Sequence, residues 1–210
     1  MKSKNQLHEL VRPFIKGKDV LELGAVNHTL ATSLNPIWLH KFLVENSKSA
    51  KGIDILKEEV EELRKRGYDI EFQNAENFKF DKKFDVIFAG NIIEHLSNPG
   101  LMLECCKKCL KDDGLLLIST NHPFSLWDEI IGVFKLSNTR KVNPEHTCYY
   151  SPATLKELLR RYDFGIEKVE YFDHYGAWRG RIRFAIQNLL GDRFKRLFIV
   201  FCRKKSKEKQ

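Results

Sequence analysis

The sequence predicts an α/β fold built on a largely parallel sheet, and three observations carry that reading. Short apolar runs alternate with helical patterns along the chain. Several of those runs close on a glycine or an acid (Gly24, Asp54, Gly90), where parallel sheets receive their ligands. The 210 residues contain no internal repeat and no linker long enough to divide them, so they fit one domain with its own core.

The elements follow in order. A helix opens the chain over about residues 4–16, with Leu7, Leu10, Val11, Phe14 and Ile15 on one stripe. DVLELG (19–24) is the first strand, and Asn35 and Pro36 read as the N-cap and first residue of a helix, PIWLHKFLVEN. AKGIDI (50–55) is the second strand, followed by the amphipathic helix KEEVEELRKRG, with Gly67 at its left-handed C′ position. DIEFQN (69–74) gives a third strand. FDVIFAGN (84–91), apolar over five successive residues, suits a central strand covered on both faces. A helix over SNPGLMLECCKKCLK leads, through a turn at Asp113-Gly114, to the fifth strand DDGLLLISTN. Residues 122–148 read as irregular, with one helix around 127–134. SPATLKELLRRYDF carries a Ser cap and a Pro at its first helical position, and IEKVEYF and RLFIVFCRK close the chain as strands.

Composition narrows the class. With 42% hydrophobic and 30% charged residues the chain is globular rather than disordered. No apolar stretch approaches the roughly 20 residues of a membrane span, and MKSKNQLHEL lacks a secretion signal's apolar region. A cytoplasmic protein is the expectation, and no residue pattern sets an oligomeric state. Much of the net charge of +8 sits in RKKSKEKQ, so we expect a single domain over 1–203 and a basic flexible tail over 204–210. Arg179, Arg181 and Arg183 form a second basic cluster, suited either to a solvated surface or to an anionic partner. Five cysteines without scaffold spacing include a CxxC, Cys106 and Cys109, inside a helical pattern. No second pair completes a zinc site, so buried thiols and no metal are expected.

Candidate ligand residues lie at strand ends. Gly24 lets the backbone approach a ligand, or serves turn geometry alone. Asp54 can accept from the vicinal hydroxyls of a ribose, or cap the helix that follows. Asn74, Ala75 and Glu76 can reach the exocyclic amine of a base, or form an ordinary loop. Gly90 and Asn91 end the central strand, and Glu94-His95-Leu96 follows in a short bend.

Together VLELG, GIDI, QNAENF, FDVIFAGNIIEHLSNPG, KCLKDDGLLLISTNHPF and EHTCYYSPATLKELLRRYDFGIEKVE resemble, in correct order from about residue 18 to 172, the class I S-adenosylmethionine-dependent methyltransferases. The likeness is to the broad group that methylates small molecules, quinone precursors and sugars. The resemblance implies a Rossmann-like, seven-stranded, mostly parallel sheet with helices on both faces and a last strand, RLFIVFCRK, running antiparallel. It implies S-adenosylmethionine as cofactor and S-adenosylhomocysteine as product. By matched position, Glu22 lies beneath the methionine moiety, residues 24–28 (Gly24, Ala25, Val26, Asn27, His28) form the first loop, Asp54 and Ile55 meet the ribose, and Asn74, Ala75 and Glu76 the adenine. Gly90, Asn91 and Ile92 line the sulfonium and acceptor side, with His95 beside them.

Two departures stand out: the family's three-glycine loop keeps only Gly24, and Gly24 to Asp54 spans 30 positions instead of roughly 20. His28 either contacts the cofactor's carboxylate or packs on Trp38. Methyl transfer needs chiefly alignment, and an oxygen or nitrogen acceptor can also call for a base, for which His95, His146 and His28 are the candidates. NHPF (121–124) differs in place and composition from the motif of nucleic-acid amino-methylating enzymes, so nucleic acid is not the favoured partner. The expected acceptor is a small molecule or a glycan or lipid-linked group. A non-catalytic module that uses the basic surface for RNA or membrane, and a nicotinamide-dependent oxidoreductase with an eroded fingerprint, are the alternatives.

Overall fold

The computed structural model describes residues 5–126, 143–173 and 191–205. The elements are α1 (Gln6–Ile15), β1 (Asp19–Leu23), α2 (Leu30–Ser33), α3 (Leu39–Asn46), β2 (Ser49–Asp54), α4 (Lys57–Lys65), β3 (Ile70–Phe72), β4 (Phe84–Gly90), α5 (Pro99–Cys109), β5 (Leu110–Asn121), α6 (Pro152–Arg161), β6 (Phe164–Phe172) and β7 (Leu197–Lys204). Short 3₁₀ turns span Ile93–His95 and Gly191–Phe194. The expected helix around 127–134 and the Arg179 to Arg183 cluster lie outside the described residues.

The seven strands order as β3-β2-β1-β4-β5-β7-β6. β1 to β5 pair in parallel, and β7 runs antiparallel to both β5 and β6. β4 therefore occupies the centre, as its unbroken apolar run requires. Strand alternation divides the core. Leu21, Ile87, Leu116 and Val200 point to the α5 and α6 side, while Val20, Val86, Leu117 and Ile199 pack with α1 and α3. Helices thus cover both faces.

Local chemistry explains the boundaries. Ser151 caps α6 reciprocally with Thr154, behind Pro152. Gly67, at φ +90°, ends α4 in the left-handed region. The expected turn at Asp113-Gly114 is instead absorbed into β5: Phe84 pairs with Leu110 and Val86 with Leu115, so residues 111–114 bulge from the ladder. A Cβ at Gly114 would sit 2.7 Å from Leu110 Cγ, which leaves glycine as the residue that fits there. α3 also begins later than Asn35-Pro36 predicts. Asn35 Oδ1 accepts from Ile37 N–H at 3.0 Å and its carbonyl from Trp38 N–H at 2.9 Å, a turn that competes with the cap and delays the helix to Leu39.

All five cysteines are free, and Cys105, Cys106, Cys109 and Cys202 are buried, with burial pushing their thiols up. Lys204 belongs to β7 rather than to a tail, pairing with Phe164 and donating to the Leu110 carbonyl at 2.6 Å. Among the described residues no helix is long and apolar enough to cross a membrane.

Candidate functional site

The carboxyl ends of β1, β2, β3 and β4 open onto a cavity of about 910 Å³, the scale of a small-molecule site. The loop after β1 forms one wall. Gly24 adopts φ +73°, and a Cβ there would stand 3.1 Å from Ile92 Cδ1, so glycine serves both the turn and the close approach of the β4 end.

The rest of the loop holds its shape without further glycines. Gly24 and Ala25 N–H both donate to the Ile53 carbonyl (2.9 and 3.0 Å), and Val26 N–H donates to Asp54 Oδ2 (2.9 Å). Asn27 N–H donates to Ser33 Oγ (2.9 Å), His28 N–H to the Val26 carbonyl (3.1 Å) and Thr29 N–H to the Asn27 carbonyl (2.7 Å). Every backbone N–H from 24 to 29 is thereby satisfied within the chain. His28 takes φ +59°, a strained left-handed conformation for a residue with a side chain. It is exposed and lines the cavity, while the ring neighbours of Trp38 are His40 and Tyr68 rather than His28.

Asp54 joins two elements at once. Its Oδ2 anchors the loop through Val26, and its Oδ1 accepts from Leu56 N–H at 3.0 Å where α4 begins. Burial raises its pKa and those backbone donors oppose the rise. The residue lines the cavity. Ile55 lines the same wall.

Trp38 and His40 hold the β1 end and its loop from behind, a part that sequence reasoning missed. Trp38 Nε1 donates to the Ala25 carbonyl at 2.7 Å, pinning the loop from behind. His40, fully buried, places Nδ1 2.8 Å from Glu22 Oε2. Burial pushes the Glu22 carboxyl up, and the bond from His40 opposes that. The signal available was the WLH pattern at the head of α3; the partners lie 13 and 18 positions away, which no periodicity reports.

Across the cavity, Asn74 Oδ1 accepts from Glu76 N–H at 2.8 Å, and Asn74, Ala75 and Gln73 line the wall beside β3. Glu76 is not among the lining residues; its carboxylate accepts from Asn98 N–H at the head of α5. At the end of β4, Gly90, Asn91 and Ile92 reach the cavity, with Asn91 at φ +49° and its N–H held by the Ser119 carbonyl at 2.9 Å. Glu94 points into the core instead, accepting from Thr120 Oγ1 (2.9 Å) and Asn121 Nδ2 (3.0 Å), and burial raises its pKa.

His95 lines the cavity, its Nδ1 3.9 Å from Glu145 Oε2. His146 stands edge-on to it, ring centroids 4.7 Å apart, outside the lining itself. Burial and the His95 ring push the His146 pKa down, and its Nδ1 has no partner among the described residues. Thr147 straps this segment to the 3₁₀ turn, N–H to the Glu94 carbonyl (2.8 Å) and Oγ1 to the Leu96 carbonyl (2.7 Å). Glu94, His95 and His146 each offer an atom within 4.8 Å of the others, but both Glu94 oxygens already serve β5.

The chemistry of this lining is acceptor-rich. Glu22, Asp54 and Glu145 are carboxylates, Gln73, Asn74 and Asn91 are amides, and the loop offers no free N–H. Such a surface receives cations and hydroxyl or amine donors. A pyrophosphate, which needs several open N–H groups, finds none in this loop.

Comparison with known proteins agrees with this layout. A family model described as a methyltransferase domain matches residues 3–169. A ubiquinone biosynthesis O-methyltransferase of Pasteurella multocida is 26% identical over 161 residues, covering 67% of this chain and 63% of that protein's length. An S-adenosylmethionine-dependent methyltransferase from Mesorhizobium loti superposes with TM-score 0.66 at 17% identity, covering 95% of this chain and 96% of that one. The magnesium protoporphyrin IX methyltransferase of Synechocystis, solved with bound S-adenosylhomocysteine, gives TM-score 0.60 at 14% identity over 96% and 83% of the two chains. At these identities the two structures establish the fold.

Proposed function

The chain belongs to the methyltransferase-domain family, and from that premise we propose that it transfers the methyl group of S-adenosylmethionine to an oxygen or nitrogen of a small-molecule acceptor. The observation that carries the reading is the pairing of Glu22 and Asp54 at adjacent strand ends with a loop whose N–H groups are all engaged. That lining fits a cationic, hydroxyl-bearing ligand and not a dinucleotide, which disfavours a nicotinamide-dependent oxidoreductase.

S-adenosylmethionine supplies a methyl group already activated on a sulfonium. The residues of this chain bind and align. Asp54 accepts from the ribose hydroxyls while holding Val26 and Leu56. Glu22, oriented by His40, offers a carboxyl group near the amino acid end. Gln73, Asn74, Ala75 and Ile55 form the base-binding wall. Gly90, Asn91 and Ile92 border the reacting centre, and glycine is the residue that fits at 90, where a Cβ would meet the buried Phe88 ring at 2.6 Å. His95, paired with Glu145 at 3.9 Å, takes the acceptor's proton, and His146 braces its ring from the side.

The relatives named for ubiquinone biosynthesis and magnesium protoporphyrin IX methylate small molecules, which supports a small-molecule acceptor, with a glycan or lipid-linked acceptor as the extension of the same chemistry. Calorimetry and thermal shift with S-adenosylmethionine and S-adenosylhomocysteine test the proposal. Both ligands are expected to raise Tm by several degrees at saturation, and a protein whose Tm neither ligand moves would sink it.

A further inference from the structure

The donors that the β1 loop can give a ligand lie on its side chains. Its backbone N–H groups from 24 to 29 are all engaged inside the chain. Asn27, His28 and Thr29 are exposed and line the cavity. The Thr29 hydroxyl is already paired with that of Thr32 at 2.9 Å. Among the described residues no hydrogen bond or ion pair engages the Asn27 amide or the His28 ring.

The rest of the lining makes those two side chains hard to replace. S-adenosylmethionine ends in an ammonium and a carboxylate, and a carboxylate leaving water needs N–H donors or a cation. Among the described residues the lining holds three carboxylate side chains, Glu22, Asp54 and Glu145, and no lysine or arginine. Of its other two imidazoles, that of His8 is 8% exposed and stacked on Phe42, and that of His95 stands beside Glu145 beyond β4. On the loop this leaves the Asn27 amide and the His28 ring, which carries at least one N–H in either protonation state. His28 stands at the third glycine position of the family's pattern. It keeps the left-handed backbone that suits glycine, φ +59°, and adds a side chain to it. Hydrogen bonds on both sides of it, His28 N–H to the Val26 carbonyl and Thr29 N–H to the Asn27 carbonyl, hold that conformation.

We infer that Asn27 and His28 form a side-chain clamp for the methionine carboxylate of the cofactor, taking over the part that open backbone N–H groups play in a glycine-rich loop. The inference rests on the methyltransferase reading and adds a selection to it: this chain prefers donors and products that keep the carboxylate. The role is one of binding, and the methyl transfer itself is left to the alignment described above.

Calorimetry on the full chain tests this with S-adenosylhomocysteine and its decarboxylated analogue, which keeps the ammonium, ribose and adenine. The parent should bind S-adenosylhomocysteine at least about tenfold more tightly than the analogue, the scale of a hydrogen bond to a charged group. His28→Gly, which suits the left-handed backbone, should weaken S-adenosylhomocysteine about tenfold and leave the analogue within about twofold. Asn27→Ala should act in the same direction and severalfold. His28→Asn tolerates the same backbone and restores an N–H donor, so it should recover part of the loss. In nitrogen-15 spectra of the imidazoles, the His28 signals should move with S-adenosylhomocysteine and stay in place with the analogue. Equal affinity of the parent for the two ligands, variants that lose nothing or lose both ligands equally, or His28 signals that do not tell the ligands apart would overturn the inference while leaving cofactor binding intact. Failure of the parent to bind S-adenosylhomocysteine would overturn the proposed function and this inference together.

Discussion

The two sides of the cavity are finished to different degrees. On the β1–β2 side every loop N–H from 24 to 29 has a partner within the chain, and Asp54, Trp38 and the Glu22–His40 pair lock the loop from three directions. On the other side the walls are imidazole and aliphatic, with His8, Leu7, Ile37 and Leu39 among the lining residues. A ligand common to a whole family can be met by a surface completed at folding. The contrast also explains why the loop dispenses with the family's second and third glycines: hydrogen bonds to Asp54 and Ser33 and from Trp38 supply the constraint that glycine geometry supplies elsewhere.

Breaking the finished side should cost most at Asp54. Asp54→Ala strips the acceptor from two backbone donors at once, and urea unfolding should show a loss of about 2–4 kcal/mol. The Tm rise given by S-adenosylhomocysteine should vanish with it; a retained rise would show that the loop is held by other means. Gly24→Ala comes next. The left-handed backbone and the Ile92 contact together should cost about 1–2 kcal/mol, and cofactor affinity should fall because Ile92 is displaced into the cavity. Trp38→Phe removes the indole N–H and part of a buried ring, so a loss of about 1–2 kcal/mol of stability and a severalfold weaker S-adenosylhomocysteine Kd are expected by calorimetry.

The smallest effect concerns pH. Burial raises the pKa of Glu94, so its proton favours the folded state; that contribution is whole below the ordinary carboxylate range and is lost as pH rises through the raised value. Glu94→Gln removes the dependence. Measured from about pH 4 to about pH 8, the variant should therefore compare worst with the parent at the acid end and best at the alkaline end. Glu22 and Asp54 carry shifts of the same sign but stay in both proteins, so the difference isolates Glu94. A difference constant with pH would place the carboxyl in a better solvated setting than its bonds to Thr120 and Asn121 imply.

The sheet was largely legible in the residues. All seven strands fall where their apolar runs lie, because central parallel strands announce themselves by composition and by the acid or glycine that ends them. Helices with a clear stop or cap, such as α4 at Gly67 and α6 at Ser151, were equally plain. α2 was not, since its capping box uses Thr32 in place of an acid or amide and the helix is too short for periodicity. At the site, the residues singled out from strand ends converge on one cavity, with Glu76 and His146 standing just outside its lining. The parts that Trp38 and His40 play behind the loop were not legible, because each acts across the fold and a lone aromatic or imidazole near an apolar helix face looks like core until its hydrogen-bond partner is known.

The self-satisfied loop also bears on time rather than affinity. Its conformational entropy is surrendered when the chain folds, so little remains to be ordered when a ligand arrives. Association then proceeds without a slow closing step, its rate set by encounter and rising in proportion to ligand concentration. Turnover in such an enzyme is left to be governed by the unfinished side, by how quickly the acceptor finds its seat and the methylated product leaves it.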